Sequence, residues 1–163
     1  MSKIAIQVRQ ADYQSPQDCD VIKQLLNEYA QDPMGGGEPI AASTLDTLID
    51  RLQTMPHAVS FILTVNDQPQ GLLNAFETLS TFKAKPLLNI HDVYVNSQYR
   101  GLGLSQKLLL ATEKEAKLRG CCKLTLEVLT ENKLAQAAYQ RFGFYAYALN
   151  DAKGSALFWQ KEL

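Results

Sequence analysis

The feature that most constrains this chain is a strand-like run that ends in a glycine turn and passes at once into a helix. Ile90-His91-Asp92-Val93-Tyr94-Val95 reads as the strand, and Gln98-Tyr99-Arg100-Gly101-Leu102-Gly103 as the turn. Leu104, Leu108, Ala111 and Leu109, Ala116 then recur at helical spacing. The first amides of a helix have no partner within it, and they carry the positive end of the helix dipole. Glycines let a ligand approach such amides closely, so the place suits a phosphate. Arg100 sets a cation beside it.

Two known phosphate loops are excluded. A P-loop needs Lys followed by Ser or Thr after its glycines, and here Gly103-Leu104-Ser105 lacks the Lys. The dinucleotide fingerprint wants Gly or Ala where Gln106 stands. A second glycine run, Asp32-Pro33-Met34-Gly35-Gly36-Gly37-Glu38-Pro39-Ile40, has no strand before it and no basic residue within it. It reads as a flexible connection between two helices.

Around these features the order of elements can be traced. Ile4–Arg9 alternates as a strand. Ser15-Pro16-Gln17-Asp18 opens a helix with Ser15 as N-cap. Ser43 and Asp46 form a capping pair for a second helix through Leu45, Leu48, Ile49 and Leu52, stopped by Met55-Pro56. Strands Ala58–Val65 and Gly71–Thr81 flank Asn66–Gln70, a hairpin loop by its chemistry, and Leu87–Val95 is a third. The Gly103–Arg119 helix is capped by Gly120 and followed by a strand at Lys123–Leu129. A short helix, Glu131–Arg141, closes at Gly143. Two last strands are expected at Phe144–Leu149 and Ala156–Leu163, joined by a turn at Asn150–Gly154. Hairpins between helical segments imply a mixed sheet, within an α/β (α+β) fold.

With 163 residues the chain is expected to form one domain over residues 1–163. Its net charge of −1 and lack of a Lys/Arg run disfavour a nucleic-acid partner, since neutralising phosphates dominates such binding. No leader is expected from the opening residues, and no apolar run approaches the ~20 residues of a membrane span. Cys19, Cys121 and Cys122 show no metal-like spacing, so no metal site is expected; an odd count points to reduced thiols and a cytoplasmic chain.

Gln98-Tyr99-Arg100-Gly101-Leu102-Gly103 resembles the Q/R-x-x-G-x-G/A signature of the GCN5-related N-acetyltransferases, the GNAT family. Downstream, Asn132, Ala135, Tyr139 and Gly143-Phe144 fit the family's N-x-x-A-x-x-x-Y-x-x-x-G-F pattern, and upstream Ile90–Val95 is similar to its fourth strand. The close resemblance covers residues 88–146. It implies the acyl-CoA N-acyltransferase fold, a mostly antiparallel mixed sheet of about seven strands, splayed at strands 4 and 5, with helices on both faces. It also implies acetyl-CoA as cofactor. Arg100, Gly101, Leu102, Gly103, Leu104, Ser105 and Gln106 would hold the pyrophosphate. Val93, Tyr94, Val95 and Asn132 would hold the pantetheine arm. Ser105 departs from the glycine many members carry there, but it still offers its amide. Dimers are common in the family, so a homodimer is a further expectation.

By the same resemblance the reaction is acetyl transfer to a primary amine, in a ternary complex. The acceptor class is open between polyamine, amino acid, amino sugar and peptide. The amine must lose a proton held at a pKa of about 10, and the leaving thiolate must gain one. Tyr139, a phenol near the cofactor sulfur by resemblance, is the candidate acid. His91, Glu77 and Asp92 are candidates for the base, and water with backbone carbonyls is another. Leu88, Ile90, Asp92 and Tyr94 do not make an apolar face, and neither do Asn89, His91, Val93 and Val95; a β-bulge near Asp92 would reconcile the pattern. The resemblance also sets the Asp32–Ile40 segment beside the acceptor as a mobile flap, so Met34 and Glu38, with Glu77 and His91, are candidate acceptor contacts. Two other readings stand beside the enzyme: a non-catalytic acyl-CoA-binding module or sensor, and a nucleotide-binding α/β protein.

Overall fold

The computed structural model describes residues 4–148 and 156–163. They fall into two compact units, 1–126 and 127–163, each described by itself. The first contains β1 (Ile6–Gln10), α1 (Pro16–Gln31), α2 (Ala42–Gln53), β2 (Ala58–Val65), β3 (Gln68–Ser80) and β4 (Lys85–Val95). A short 3-10 turn at Ser97–Tyr99, α3 (Leu104–Leu118) and β5 (Leu124–Leu126) complete it. The sheet runs β1-β2-β3-β4-β5. The first four strands pair antiparallel, and β4 pairs with β5 in parallel. The mixed sheet follows from its connections: tight turns link β2 to β3 and β3 to β4, while the β4–β5 crossover carries α3.

The β2–β3 turn is tighter than the sequence suggests. Only Asn66 and Asp67 form it, at φ 48° and 63°, a pair of left-handed residues that matches strand twist. Pro69 lies inside β3 where the register shifts after Leu63, a bulge that spares it a ladder donor. Ser15 caps α1 as expected, its side chain accepting the Asp18 amide. The cap of α2 differs: Ala41 occupies the position without a side-chain bond, Ser43 lies inside the helix, and Asp46 turns to Lys23 at 3.3 Å. An ion pair between helices displaced the local capping pair.

Helices cover both faces. Ile22 and Leu25 of α1 and Ile49 and Leu52 of α2 pack with Ala58, Ile62, Leu72 and Tyr94. Leu104, Leu108, Leu109 and Ala116 of α3 are buried against the other face, where Leu63 and Leu108 crowd Gly71. The expected bulge is present: Asn74 pairs with Asp92 but Ala75 with Ile90, so His91 is the extra residue. The β4–β5 ladder ends at Ile90 and Leu126, and β4 continues five residues further, His91 to Val95, without that neighbour.

The second unit holds α4 (Lys133–Phe142), capped by Asn132 and closed by Gly143 at φ 112°. Among the described residues no strand is assigned at 144–148 or 156–163; Ala148 forms an isolated bridge, and Ala156 donates to the Tyr147 carbonyl at 3.3 Å. Leu149 and the turn expected at Asn150–Gly154 lie outside the described residues. The described sheet thus has five strands rather than about seven. No described helix is long and apolar enough to cross a membrane.

Candidate active site

The turn into α3 is built by backbone conformation. Gly101 and Gly103 sit at φ 80° and 73°, where a side chain is strained. An added Cβ on either would meet nothing within 4 Å, so their faces are open to a ligand. Gly103 is the N-cap of α3 and no side chain caps the first turn, leaving the Leu104 and Ser105 amides at the helix head. Leu104 is buried and pins that head to the core, while Leu102 is exposed. Gln106 donates its amide back to the Gly103 carbonyl at 3.2 Å.

Arg100 does more than stand beside the turn. Its Nε donates to the Val95 carbonyl at 3.0 Å, and its guanidinium bonds Asp32 Oδ2 at 2.6 Å. Asp32 ends α1, so the glycine turn is tied to the segment that follows that helix. Burial pushes the Asp32 carboxyl up, but Arg100 and the Met34 amide outweigh it and hold it below the ordinary carboxylate range.

That segment is not a free linker. Gly35 and Gly37 donate back to the carbonyls of Asp32 and Ala30, and the Ile40 amide bonds Asn27 Oδ1 at 2.8 Å. A Cβ on Gly35 would come within 1.9 Å of the Tyr29 carbonyl oxygen, and Gly36 and Gly37 have positive φ. The three glycines therefore fold the chain back on α1. Met34 and Glu38 are exposed on this fold.

The bulge gathers a polar cluster on the face that α1 covers. Asp92 accepts from Asn74 Nδ2 at 2.9 Å. Burial pushes its carboxyl up, against the opposing pull of Asn74 and His91. Tyr94 donates to Glu28 Oε2 at 3.2 Å, and its phenol is pushed up to about 12, first by burial and then by the Glu28 charge. Tyr29 lies with its ring centre 6.0 Å from that of Tyr94, and burial together with the charges of Asp92 and Asp32 raises its phenol too. His91 is exposed and stands edge-on to Phe76 at 5.0 Å.

Of the candidates for the base, the structure brings His91 and Asp92 together and sets Glu77 apart. Alternation along β3 puts Glu77 on the α3 face, opposite Asn74 and Phe76. There it pairs with Arg119 at 3.2 Å. Sequence reasoning missed Glu28, Tyr29 and Asn74. The signal for Asn74 was present: a lone amide inside the apolar run Leu72-Leu73-Asn74-Ala75. Glu28 and Tyr29 carried no signal, because only the packing of α1 brings them to Tyr94.

In the second unit, Asn132 Oδ1 accepts the Ala135 amide at 3.1 Å, so its oxygen caps α4. Tyr139 is half-buried, its ring edge-on to Phe144 at 5.9 Å. The Tyr139 carbonyl accepts the amides of Gly143 and Phe144, which closes the helix under the ring. No cluster of metal-ligating side chains occurs among the described residues.

Residues 22–144 match the family described as Acetyltransferase (GNAT) family. A thialysine N-epsilon-acetyltransferase of Bos taurus is 33% identical over 101 residues, 59% of this chain and 58% of that protein. An uncharacterized N-acetyltransferase of Methanocaldococcus jannaschii is 32% identical over 85 residues, 52% of this chain and 38% of its own length. The chain thus spans about half the length of these relatives. The solved structure of AAC(6')-Iy in complex with the bisubstrate analog CoA-S-monomethyl-acetylneamine is similar in fold. It covers 98% of this chain and 99% of its own at a TM-score of 0.76 and 15% identity.

Proposed function

The chain belongs to the GNAT acetyltransferase family, and on that footing we propose that it moves the acetyl group of acetyl-CoA to a primary amine of a cationic small molecule, by direct attack in a ternary complex. What supports this most is the pairing, within one unit, of two features: an open glycine turn at the head of α3, and a carboxylate-lined cluster at the β4 bulge.

The residues present fit acetyl-CoA. Left-handed glycines with open space above them suit a pyrophosphate, and the amides of Gly101 to Ser105 would hold it, the Gln106 amide being turned to the Gly103 carbonyl. Val93, Tyr94 and Val95, past the end of the β5 ladder, would take the pantetheine arm; Asn132 is a pantetheine contact on the strength of its motif alone. Acetyl-CoA supplies the activated acyl carbon and a thiolate leaving group. The chain's own residues do the rest. Asp92 and Glu28 attract the acceptor's ammonium, and the half-buried Tyr29 offers it an aromatic face. His91, or Asp92 through water, takes the proton that the amine must lose before it attacks. Tyr139 gives its phenolic proton to the thiolate, on the strength of the motif that carries it.

The relatives' names favour an amine with more than one polar group: one is a thialysine acetyltransferase, and the solved complex holds an acetylneamine analog. Met34 and Glu38, exposed after α1, are proposed contacts for the far end of such an acceptor. The test is a panel of small amines and peptides with acetyl-CoA, read by CoA release and product mass. Amine-dependent release with N-acetylated product is expected. A chain stabilised by acetyl-CoA that releases no CoA with any amine is a non-catalytic acyl-CoA binder.

A further inference from the structure

We infer that Tyr13, Ser60 and Asn74 are positioning residues that hold the Asp92 carboxylate ionised and aimed, through a one-way chain of hydrogen bonds across the sheet. The starting observation is a polar row inside an apolar core. Ser60 is 1% exposed in the apolar strand Ala58–Val65, and Asn74 is 4% exposed in β3. Apolar side chains would pack there without needing partners, and a buried polar group is costly unless it is bonded. These are all bonded, and to one another. Tyr13 Oη lies 2.9 Å from Ser60 Oγ, Ser60 Oγ 2.6 Å from Asn74 Oδ1, and Asn74 Nδ2 2.9 Å from Asp92 Oδ2.

The direction of the chain follows from proton counting. Asn74 turns its amide nitrogen to the carboxylate, so its oxygen can only accept, and Ser60 must donate to it. That uses the single Ser60 proton, so Tyr13 must donate to Ser60. Burial pushes the Tyr13 phenol up, which keeps its proton in place at neutral pH. All three donors therefore point towards Asp92, and each bond polarises the next. The row does not relay protons, because the Asn74 amide has none to pass on without changing tautomer. Its effect is electrostatic and orienting.

Asp92 needs such support. The titratable groups that face it are His91 beside it on β4 and Tyr29 of α1, while Glu28, Asp32 and Arg100 act on the neighbouring Tyr94. Arg100 is committed to Asp32 at 2.6 Å. Burial disfavours charge on Asp92, while the Asn74 bond and His91 favour it. The catalytic consequence rests on the proposed function: an ionised Asp92 draws the acceptor's ammonium and can take its proton.

The test titrates Asp92 directly in the full chain by carboxyl carbon-13 NMR, its signal assigned by its loss in Asp92→Asn. In Ser60→Ala the apparent pKa of Asp92 is expected to rise by roughly 0.5–1 unit, and in Tyr13→Phe by less. Ser60→Thr, which keeps the hydroxyl, restores the wild-type value. If Ser60→Ala does not fold, Tyr13→Phe, which loses only one oxygen, carries the test. An Asp92 titration unmoved in every folded variant overturns the inference. This readout needs no turnover: a shifted titration in a chain that acetylates nothing supports the donor row and refutes the proposed function. In an active chain, the acid limb of kcat/KM moves to higher pH with the titration.

Discussion

Tyr139→Phe removes one oxygen and leaves the ring against Phe144. If the phenol protonates the leaving thiolate, kcat falls tenfold or more, about 1.4 kcal/mol of barrier, while acetyl-CoA affinity stays the same. An unchanged kcat removes Tyr139 from that role. Glu77, which the sequence offers as a base, is held by Arg119 on the opposite face of the sheet from His91. Glu77→Gln is therefore expected to lower thermal stability and leave the pH profile in place, whereas His91→Ala or Asp92→Asn alters its acid limb. Asp18 gives a separate prediction of pH dependence. It is buried in the first turn of α1, gripped by both guanidinium nitrogens of Arg9 at 2.6 Å and by the Asp12 amide at 2.8 Å. The Arg9 bonds, then the Asp12 amide, outweigh burial and hold its carboxyl below the ordinary range. Its stabilisation is thus complete above the unfolded pKa of about 3.9 and lost as pH falls through the lower folded value. Asp18→Asn should unfold more readily than the parent at neutral pH, with the gap closing in acid, as measured by thermal melts across pH. At this scale the sequence was partly legible. The bulge near Asp92 stood out because alternation broke there, while His91 and Tyr139 were singled out through the family resemblance. The partners Asn74, Glu28 and Tyr29 depended on which helix covers which face, which spacing does not encode.

Among the elements, the turn into α3 separates conformation from ligand binding. Gly101→Ala forces a side chain into left-handed backbone, costing about 1–2 kcal/mol, but the new methyl meets no protein atom. A modest loss in melting temperature together with a much larger loss of CoA affinity is the expected pattern, by calorimetry and binding titration. Equal affinity in a folded Gly101→Ala would remove the turn from the cofactor site. Gly35→Ala is the contrasting case: its methyl collides with the Tyr29 carbonyl, so stability itself should fall sharply. Both glycine stretches looked alike in sequence as bare backbone. What distinguished them was context, a strand before one and a folded-back helix end before the other. The α2 start was misread for a related reason: Asp46 had a better partner in Lys23 on α1 than in its own first turn.

For the molecule as a whole, the order of elements through β5 and the mixed pairing of the sheet were legible, because hairpin turns and a helical crossover dictate them. The terminal strands expected at 144–149 and 156–163 were not, because strand propensity alone does not fix pairing. The fold and the glycine turn together make acetyl-CoA binding the first event to detect, and a hundredfold excess over Kd should stabilise the chain by about 2.7 kcal/mol. Binding alone does not establish transfer. The most direct test of the central claim is CoA release from acetyl-CoA across a panel of small cationic amines, with product mass read in the same reaction. Release that depends on the amine, matched mole for mole by an N-acetylated product, is the predicted result. Stabilisation by acetyl-CoA with no release for any amine or peptide would contradict it.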